Sequence, residues 1–219
     1  MWPKTALQSS SCTLDPSGAL AEGRLSRVGP ALSDAPRTDV DARLNSQETG
    51  MVIVRKERAE DADAIRRVLT SAFETSAEAR LVDELRARNA FELSLVAEVD
   101  GQIVGHILFT RVSIGSEHSA TRAVAIGPMG VLPQFQRKGI GSQLVLQGLE
   151  ECRRSGGEVV IVLGHPGFYP RFGFSEAKPY GIRFEDEVPD EAFMVAELRP
   201  GALSKLQGIV RYEPEFTAV

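Results

Sequence analysis

A strand, a turn and a glycine-rich loop that opens a helix occupy residues 124–142, and this combination constrains the fold more than any other segment. The sequence from Ala125 to Ser142 is AIGPMGVLPQFQRKGIGS. The first backbone N–H groups of a helix have no partner within the helix, and the helix dipole adds positive potential there. We therefore expect an anion site where the loop meets the helix, with phosphate as its natural ligand.

Periodic apolar residues around this segment predict a mixed α/β fold. Asp61 is the expected N-cap of a first helix, and Thr75 with Glu78 forms a capping-box pattern before a second. Asp100–Gly101 predicts a two-residue hairpin turn, because this pair supplies the positive φ angles that the turn requires. Strands are expected at residues 52–54, 93–99, 102–114, 122–132, 159–163, 193–198 and 209–212. The pair Gly127–Pro128 should open the ladder within the fourth of these strands.

Residues 1–50 differ in composition from the rest of the chain. They are rich in Ser, Pro, Gly and Ala and contain no helical or strand periodicity, which predicts a disordered N-terminal extension. The ordered pattern begins abruptly at Met51. A start codon assigned too early is therefore a hypothesis that the intact mass of the native protein can test.

Charge and cysteine content exclude several function classes. The net charge of −5 and the pI of about 5.4 argue against a general nucleic-acid or anionic-membrane binder. Cys12 and Cys152 form neither a disulfide framework nor a metal-ligand spacing, and a reducing cytoplasm fits them best. The longest aliphatic run, Val159–Leu163, is far too short to span a bilayer. We expect no metal and no nucleic-acid or membrane partner.

The glycine loop itself is compatible with more than one interpretation. A dinucleotide fingerprint fails because Leu144 stands at the third glycine position, and a P-loop fails because no Lys-Ser or Lys-Thr pair follows the final glycine. The remaining pattern is Gln136-x-x-Gly139-x-Gly141, in which small residues let the backbone approach an anion. An ordinary helix start is the alternative.

A second motif, Phe-Tyr-Pro-Arg-Phe-Gly-Phe at residues 168–174, follows the strand expected beside the loop-bearing strand. With both motifs in this order, the chain resembles the GNAT superfamily of acetyl-CoA-dependent N-acetyltransferases, and is similar to its bacterial branch of small predicted enzymes. The resemblance runs from Met51 to the C-terminus and is most specific over residues 122–174. It implies an α/β (α+β) fold: a six- or seven-stranded, mostly antiparallel sheet with a splayed central parallel pair and helices on both faces. Residues 51–219 would form the N-acetyltransferase domain.

The resemblance also implies a set of site residues. Backbone amides of the glycine loop would hold the pyrophosphate of CoA, with Gln136 opening the loop; these are Arg137, Lys138, Gly139, Ile140, Gly141 and Ser142. The opened strand at Met129, Gly130 and Val131 would bind the pantetheine arm and polarise the thioester carbonyl. Tyr169 would protonate the departing CoA thiolate. A phenol of pKa about 10 suits this role, since it keeps its proton at neutral pH and a thiol of pKa about 8.5 leaves best when protonated. The alternative for Tyr169 is a ring packed among its phenylalanine neighbours.

The expected reaction is direct attack of a primary amine on acetyl-CoA, without a covalent enzyme intermediate or a metal. The base is left open among several candidates: Glu78, His106, Glu185, Asp186, Glu187 and a water chain. His165 either contacts Tyr169 or substrate or forms a turn before Pro166, and Cys152 is expected to fill the core. Two other classes remain, a non-catalytic acyl-CoA-binding or regulatory domain and a nucleotide-binding enzyme. We expect a cytoplasmic monomer or homodimer.

Overall fold

The fold is given by a computed structural model, which describes residues 50–115 and 121–218. Within those residues the chain forms three α-helices and ten β-strands. The extension predicted for residues 1–50 lies outside the described residues apart from Gly50, so its disorder stays a prediction.

Seven strands form one large sheet in the order β1-β2-β3-β5-β6-β9-β7. Their bounds are Val52–Lys56 for β1, Leu93–Val99 for β2, Gln102–Arg111 for β3, Ala123–Val131 for β5, Val159–Leu163 for β6, Ser175–Glu176 for β7 and Phe193–Glu197 for β9. The central neighbours β5 and β6 run parallel, whereas the other pairs of this sheet run antiparallel. The predicted mixed, mostly antiparallel sheet is thus confirmed.

The β2–β3 hairpin turns at the predicted pair. Asp100 has φ 49° and Gly101 has φ 79°, so both central residues adopt the left-handed conformation of a type I′ turn. This turn fixes the register in which Val99 lies opposite Gln102.

Helices cover both faces of the large sheet, as predicted. Helix α1 (Ala62–Ala72) and helix α2 (Ala77–Ala87) pack Ile65, Leu69 and Leu85 against Val96 and Leu108. Helix α3 (Ile140–Arg154) packs its apolar face on the opposite side. A Cβ atom at Gly148 would lie 2.4 Å from the Phe109 ring, so the α3 backbone reaches β3 at this point.

A second, three-stranded sheet covers the end of the large sheet that α1 and α2 leave open. It consists of β4 (Ser113–Ile114), β10 (Gly208–Arg211) and β8 (Ile182–Phe184), with β10 in the centre. Its apolar side chains pack against Ala125 and Ile161. Because Ala125 alternates with Val124 and Ile126, which face α3, the small sheet lies on the face opposite α3.

Two local predictions need correction. The strand expected over residues 102–114 divides at Val112, because Ser113 and Ile114 leave the large sheet and pair with β10. Asp61 directly precedes α1, but its side chain does not cap the helix. Its carboxylate instead accepts a hydrogen bond from the Arg58 N–H at 2.7 Å and pairs with Arg55 at 2.6 Å.

No helix among the described residues combines the length and the apolar character needed to cross a bilayer.

Candidate active site

The central parallel strands part at the predicted position. Pairing between β5 and β6 runs from Ala123 opposite Val159 to Ile126 opposite Val162, and then stops. Gly127 and Pro128 together face Leu108 as a bulge, after which β5 continues along β3 alone. The segment 129–131 therefore has one edge without a strand partner.

Register shows which backbone groups lie along that free edge. The Leu132 N–H donates to the Val104 carbonyl at 2.9 Å, which marks residues 132 and 104 as a hydrogen-bonded pair. In an antiparallel ladder such pairs alternate with non-bonded ones, so Gly130 directs its N–H and C=O towards His106 on β3. Met129 and Val131 direct theirs into the gap. The Gln136 side chain donates to the Val131 carbonyl at 3.0 Å, which leaves the Met129 N–H, the Met129 C=O and the Val131 N–H free.

The glycine loop presents further free amides beside this edge. Arg137 has φ 59° and Gly139 has φ 81°, a left-handed pair that turns the chain sharply into α3. The first helical bond runs from the Gln143 N–H to the Gly139 carbonyl at 3.0 Å. Among the described residues, no protein acceptor bonds the N–H groups of residues 137–142. The six predicted amides are thus available to an anion.

The side chains of this loop have different surroundings from their backbone. Ile140 is 1% exposed and anchors the start of α3 in the core. Arg137 and Lys138 are exposed, and they add positive charge at the rim of the loop. Lys138 Nζ lies 5.5 Å from the centroid of the Phe135 ring.

Tyr169 lies where β6 ends, packed against backbone. A Cβ atom at Gly164 would lie 2.3 Å from the tyrosine Cε2, so only glycine leaves room for the ring. Phe168 and Phe174 contact the ring edge-on, with centroids 5.1 and 5.5 Å away. The ring of Tyr169 is therefore packed among aromatic side chains, as the structural alternative for this residue expected.

The hydroxyl of Tyr169 is nevertheless free to act. It has no hydrogen-bond partner among the described residues, and its oxygen is not among the fully buried polar atoms. Burial of the ring raises the pKa of Tyr169 above its usual value of 10, so the phenol keeps its proton at neutral pH.

Phe168 joins the two sequence motifs. Its ring tip would lie 3.6 Å from a Cβ atom at Gly141, and the Met129 methyl would lie 3.9 Å from the same position. The Arg171 side chain donates to the Phe168 carbonyl at 2.9 Å and to the Gly167 carbonyl at 3.0 Å, which folds the tyrosine segment into a compact turn. Opened strand, glycine loop and tyrosine turn thus form one site.

Comparison with known proteins agrees with this geometry. The family described as "Acetyltransferase (GNAT) domain" matches residues 53–177. The protein named "uncharacterized N-acetyltransferase YhbS" of Escherichia coli (strain K12) is 34% identical over 166 residues, which span 75% of this chain and 98% of that one. The chain belongs to the GNAT family of acetyltransferases.

Two solved GNAT structures share the fold. A crystal structure of YhbS from Escherichia coli in complex with CoA superposes with a TM-score of 0.72 at 34% identity, covering 76% of this chain and 92% of that one. A GNAT family acetyltransferase from Brucella melitensis in complex with acetyl-CoA superposes with a TM-score of 0.63 at 36% identity, covering 76% and 98%. Both superpositions confirm that this chain has the GNAT fold.

The structure separates the candidate bases of this GNAT domain. Glu185, Asp186 and Glu187 are exposed on the loop after β8, in the small sheet. Glu78 is 3% exposed and accepts a hydrogen bond from the Thr75 hydroxyl at 3.3 Å, while Thr75 accepts one from the Ala77 N–H at 3.2 Å. The N-cap of α2 is Ser76, without a side-chain cap bond, so the capping box predicted from Thr75 and Glu78 is not formed and the two side chains bond each other instead.

His165 and Cys152 lie in surroundings that explain them by structure alone. His165 accepts a hydrogen bond from the Gly167 N–H through Nδ1 at 3.1 Å, which is the turn role considered for it. Cys152 is 1% exposed, and burial raises the pKa of its thiol to about 12, as suits a core residue. No group of three or more potential metal-binding side chains occurs among residues 50–115 and 121–218.

Sequence reasoning missed Gly164, which leaves room for the Tyr169 ring, and one contact of Gln136. Gln136 was expected at the site, but its side-chain hydrogen bond to the Val131 carbonyl was not foreseen. The sequence did contain a signal for Gly164, namely a glycine at the end of a predicted strand. The Gln136 hydrogen bond depends on the direction of a side chain, which no sequence pattern encodes.

Proposed function

We propose that this protein is an acetyl-CoA-dependent N-acetyltransferase that transfers the acetyl group directly to a primary amine. The observation that carries the proposal is the free backbone at the parted strands: Met129 and Val131 offer polar groups beside six free loop amides. The two GNAT structures in complex with CoA or acetyl-CoA support the same ligand for this chain.

The two backbone segments suit two parts of the donor. Amides at residues 137–142 carry partial positive charge at the start of α3, which suits a pyrophosphate. The extended segment at Met129 and Val131 suits the amide groups of a pantetheine arm, which would add to β5 as an extra strand. An N–H group in this segment would also stabilise negative charge on the thioester oxygen as the amine attacks.

Tyr169 has the properties of the proton donor. When the tetrahedral adduct collapses, the C–S bond breaks, its electron pair goes to sulfur, and the phenol supplies a proton to give the CoA thiol. The phenol regains a proton from the nitrogen of the adduct. Because burial raises the pKa of Tyr169, the phenolate is short-lived and the cycle returns to the neutral side chain.

The acceptor is proposed as a primary amine on a small molecule or a protein. An alkylammonium of pKa about 10.4 must first lose a proton, so the site needs a base as well as the tyrosine. We also propose that the protein acts in the cytoplasm, because its two cysteines do not suggest a secreted disulfide framework. A monomer or a homodimer is the proposed oligomeric state.

Thermal unfolding of the full chain tests the donor. A ligand at about one hundred times its Kd stabilises the native state by about 2.7 kcal/mol, and we expect this with acetyl-CoA and CoA. ATP and NAD should not change the unfolding temperature. A rise with either of them would favour a nucleotide-binding enzyme. No shift with acetyl-CoA or CoA would contradict the proposed site.

Tyr169→Phe tests the chemistry. Thiol release from acetyl-CoA in the presence of an amine should fall by about 100-fold or more, because proton transfer by a positioned side chain contributes that much. The Kd for CoA should stay within about twofold, since the phenol acts in the transition state. Tyr180→Phe, at a 41% exposed tyrosine, is the matched control and should keep full turnover. CoA binding by a wild-type protein that releases no thiol with any amine would favour the non-catalytic alternative.

A further inference from the structure

A buried polar cluster lies directly beside the opened strand. It consists of Glu57, Arg86, Ser94 and His106, contributed by the segment after β1, by α2, by β2 and by β3. His106 is fully buried and lies opposite Gly130 in the β3–β5 ladder. The imidazole is therefore one strand away from the free edge at Met129 and Val131.

Hydrogen bonding fixes the tautomer of this histidine. The Ser94 hydroxyl donates its single hydrogen to the Glu57 carboxylate, so the Ser94 oxygen must act as acceptor towards His106. His106 Nε2 lies 2.9 Å from that oxygen and is the donor. The hydrogen of the neutral ring is thus on Nε2, and Nδ1 carries a lone pair.

The surrounding charges keep the ring neutral yet ready to accept a proton. Burial lowers the pKa of His106, and the Glu57 carboxylate opposes that effect. Burial would raise the pKa of Glu57, but the nearby His106 ring and the hydrogen bonds from Arg86 and Ser94 lower it to about 2. A protonated imidazole would face this carboxylate, whose Oε2 lies 3.8 Å from Nε2. Arg86, bonded to Glu57 at 2.9 Å, is the cation that limits the effect.

The Nδ1 atom is the one polar atom of this cluster that lacks a partner among the described residues. A fully buried acceptor without a hydrogen bond destabilises the fold, so such an atom calls for a role. Gly130, opposite His106, has no side chain of its own on the imidazole's side of β5. Leu69, Ala72 and Phe73 at the C-terminal end of α1 pack over it, since a Cβ atom at Gly130 would lie 3.0 Å from the Ala72 Cβ.

We propose that His106 is the general base of the transfer, with Nδ1 accepting the proton that the acceptor ammonium loses before it attacks; this rests on the proposed function. The N–H bond of the ammonium breaks, its electron pair stays on nitrogen, and the new N–H bond forms at Nδ1. The free amine then attacks the thioester carbon. The imidazolium, held between Ser94 and Glu57, returns its proton to solvent after the product leaves.

A pair of small nucleophiles tests this role. Methylamine is a cation at neutral pH and needs a base, whereas hydroxylamine has the same number of heavy atoms and is uncharged. His106→Gln keeps an amide donor for Ser94 and removes the proton acceptor. Transfer from acetyl-CoA to methylamine should fall by about 100-fold, while transfer to hydroxylamine should stay within about threefold of wild type.

Two further variants keep the test decisive. Thr110 lies on β3, as His106 does, and its buried hydroxyl donates a hydrogen bond to the Ala90 carbonyl. Thr110→Val removes that bond and should leave both transfers unchanged. Ser94→Ala releases the tautomer, and should lower only the methylamine reaction, by about tenfold. If His106→Gln lowers both reactions equally, or neither, the histidine is structural and the proposal is wrong. Failure of the wild-type protein to bind acetyl-CoA or to transfer to either nucleophile would instead contradict the proposed function.

Discussion

The two halves of the large sheet treat their polar groups in opposite ways. On the β1–β2–β3 side the ladders run through five and seven residue pairs, and buried charges are paired, as in Glu57 with Arg86. On the β5–β6 side the ladder stops after four residue pairs and leaves backbone amides without partners. The closed half pairs its buried charges and its strands along their length, whereas the open half keeps polar groups available for a ligand.

The largest expected effect is a loss of stability when the buried charge pair of the closed half is disrupted. Glu57→Gln removes the buried negative charge that faces Arg86 and one of the two oxygens that accept from Arg86 and Ser94, which should lower the free energy of unfolding by about 3 kcal/mol. Urea unfolding of the full chain measures this loss. The Kd for CoA should not change, because the open half does not depend on this charge. Glu60→Gln, at an exposed residue, is the control and should change stability by less than about 0.5 kcal/mol.

The Glu57 carboxyl should also make the stability of the closed half depend on pH. The pKa of Glu57 is lowered to about 2 in the folded protein, against about 4.3 in an unfolded chain. A carboxyl with a lowered folded pKa stabilises above its unfolded pKa, and that stabilisation is lost as the pH falls towards 2. Wild type should therefore lose about 3 kcal/mol more than Glu57→Gln between pH 5 and pH 2. Parallel pH profiles would show that Glu57 is not held as the structure indicates.

A negative charge in the glycine loop should weaken CoA binding in the open half without destabilising the fold. Gly141→Asp has room for its Cβ, whose nearest neighbour would lie 3.6 Å away, and an acid in the first turn favours the helix. The Kd for CoA should rise by about 100-fold, which corresponds to about 2.7 kcal/mol, because the carboxylate competes with phosphate for the amides. Calorimetric titration measures the change. Gln147→Glu adds the same charge further along α3 and should leave affinity within about twofold.

A smaller effect is expected behind the tyrosine. Gly164→Ala places a Cβ 2.3 Å from the Tyr169 ring, which must shift and carry the hydroxyl with it. Turnover should fall by about tenfold, or about 1.4 kcal/mol of transition-state stabilisation, while the Kd for CoA stays the same. Gly167→Ala is the control, because its nearest neighbour is the His165 side chain at 3.2 Å. Equal turnover in the two variants would show that the position of Tyr169 is not set by Gly164.

Local chemistry allowed the main features of the fold to be predicted from sequence. Asp100–Gly101 turned the hairpin because both residues accept positive φ, and Gly127–Pro128 opened the ladder because proline has no N–H. The apolar face of α3 followed from its periodicity. The assigned roles of the loop residues, of Met129 to Val131 and of Tyr169 remain proposals that the experiments above test.

Features that depend on distant partners could not be predicted. The small sheet joins β4 to β10, nearly a hundred residues later, and no local pattern encodes that pairing. Gly130 was expected to bind pantetheine with its neighbours, but the register turns its polar backbone towards β3. Whether a residue faces the gap or the ladder depends on a shift of one position, which only the three-dimensional structure fixes.

Amide hydrogen exchange of the full chain, measured by NMR with and without CoA, tests the central claim most directly. We predict that CoA slows exchange at the Met129 and Val131 N–H groups and at those of residues 137–142. The Gly130 N–H, already bonded to β3, should be protected in both states. Binding of CoA without new protection at Met129, Val131 or the loop would contradict the account.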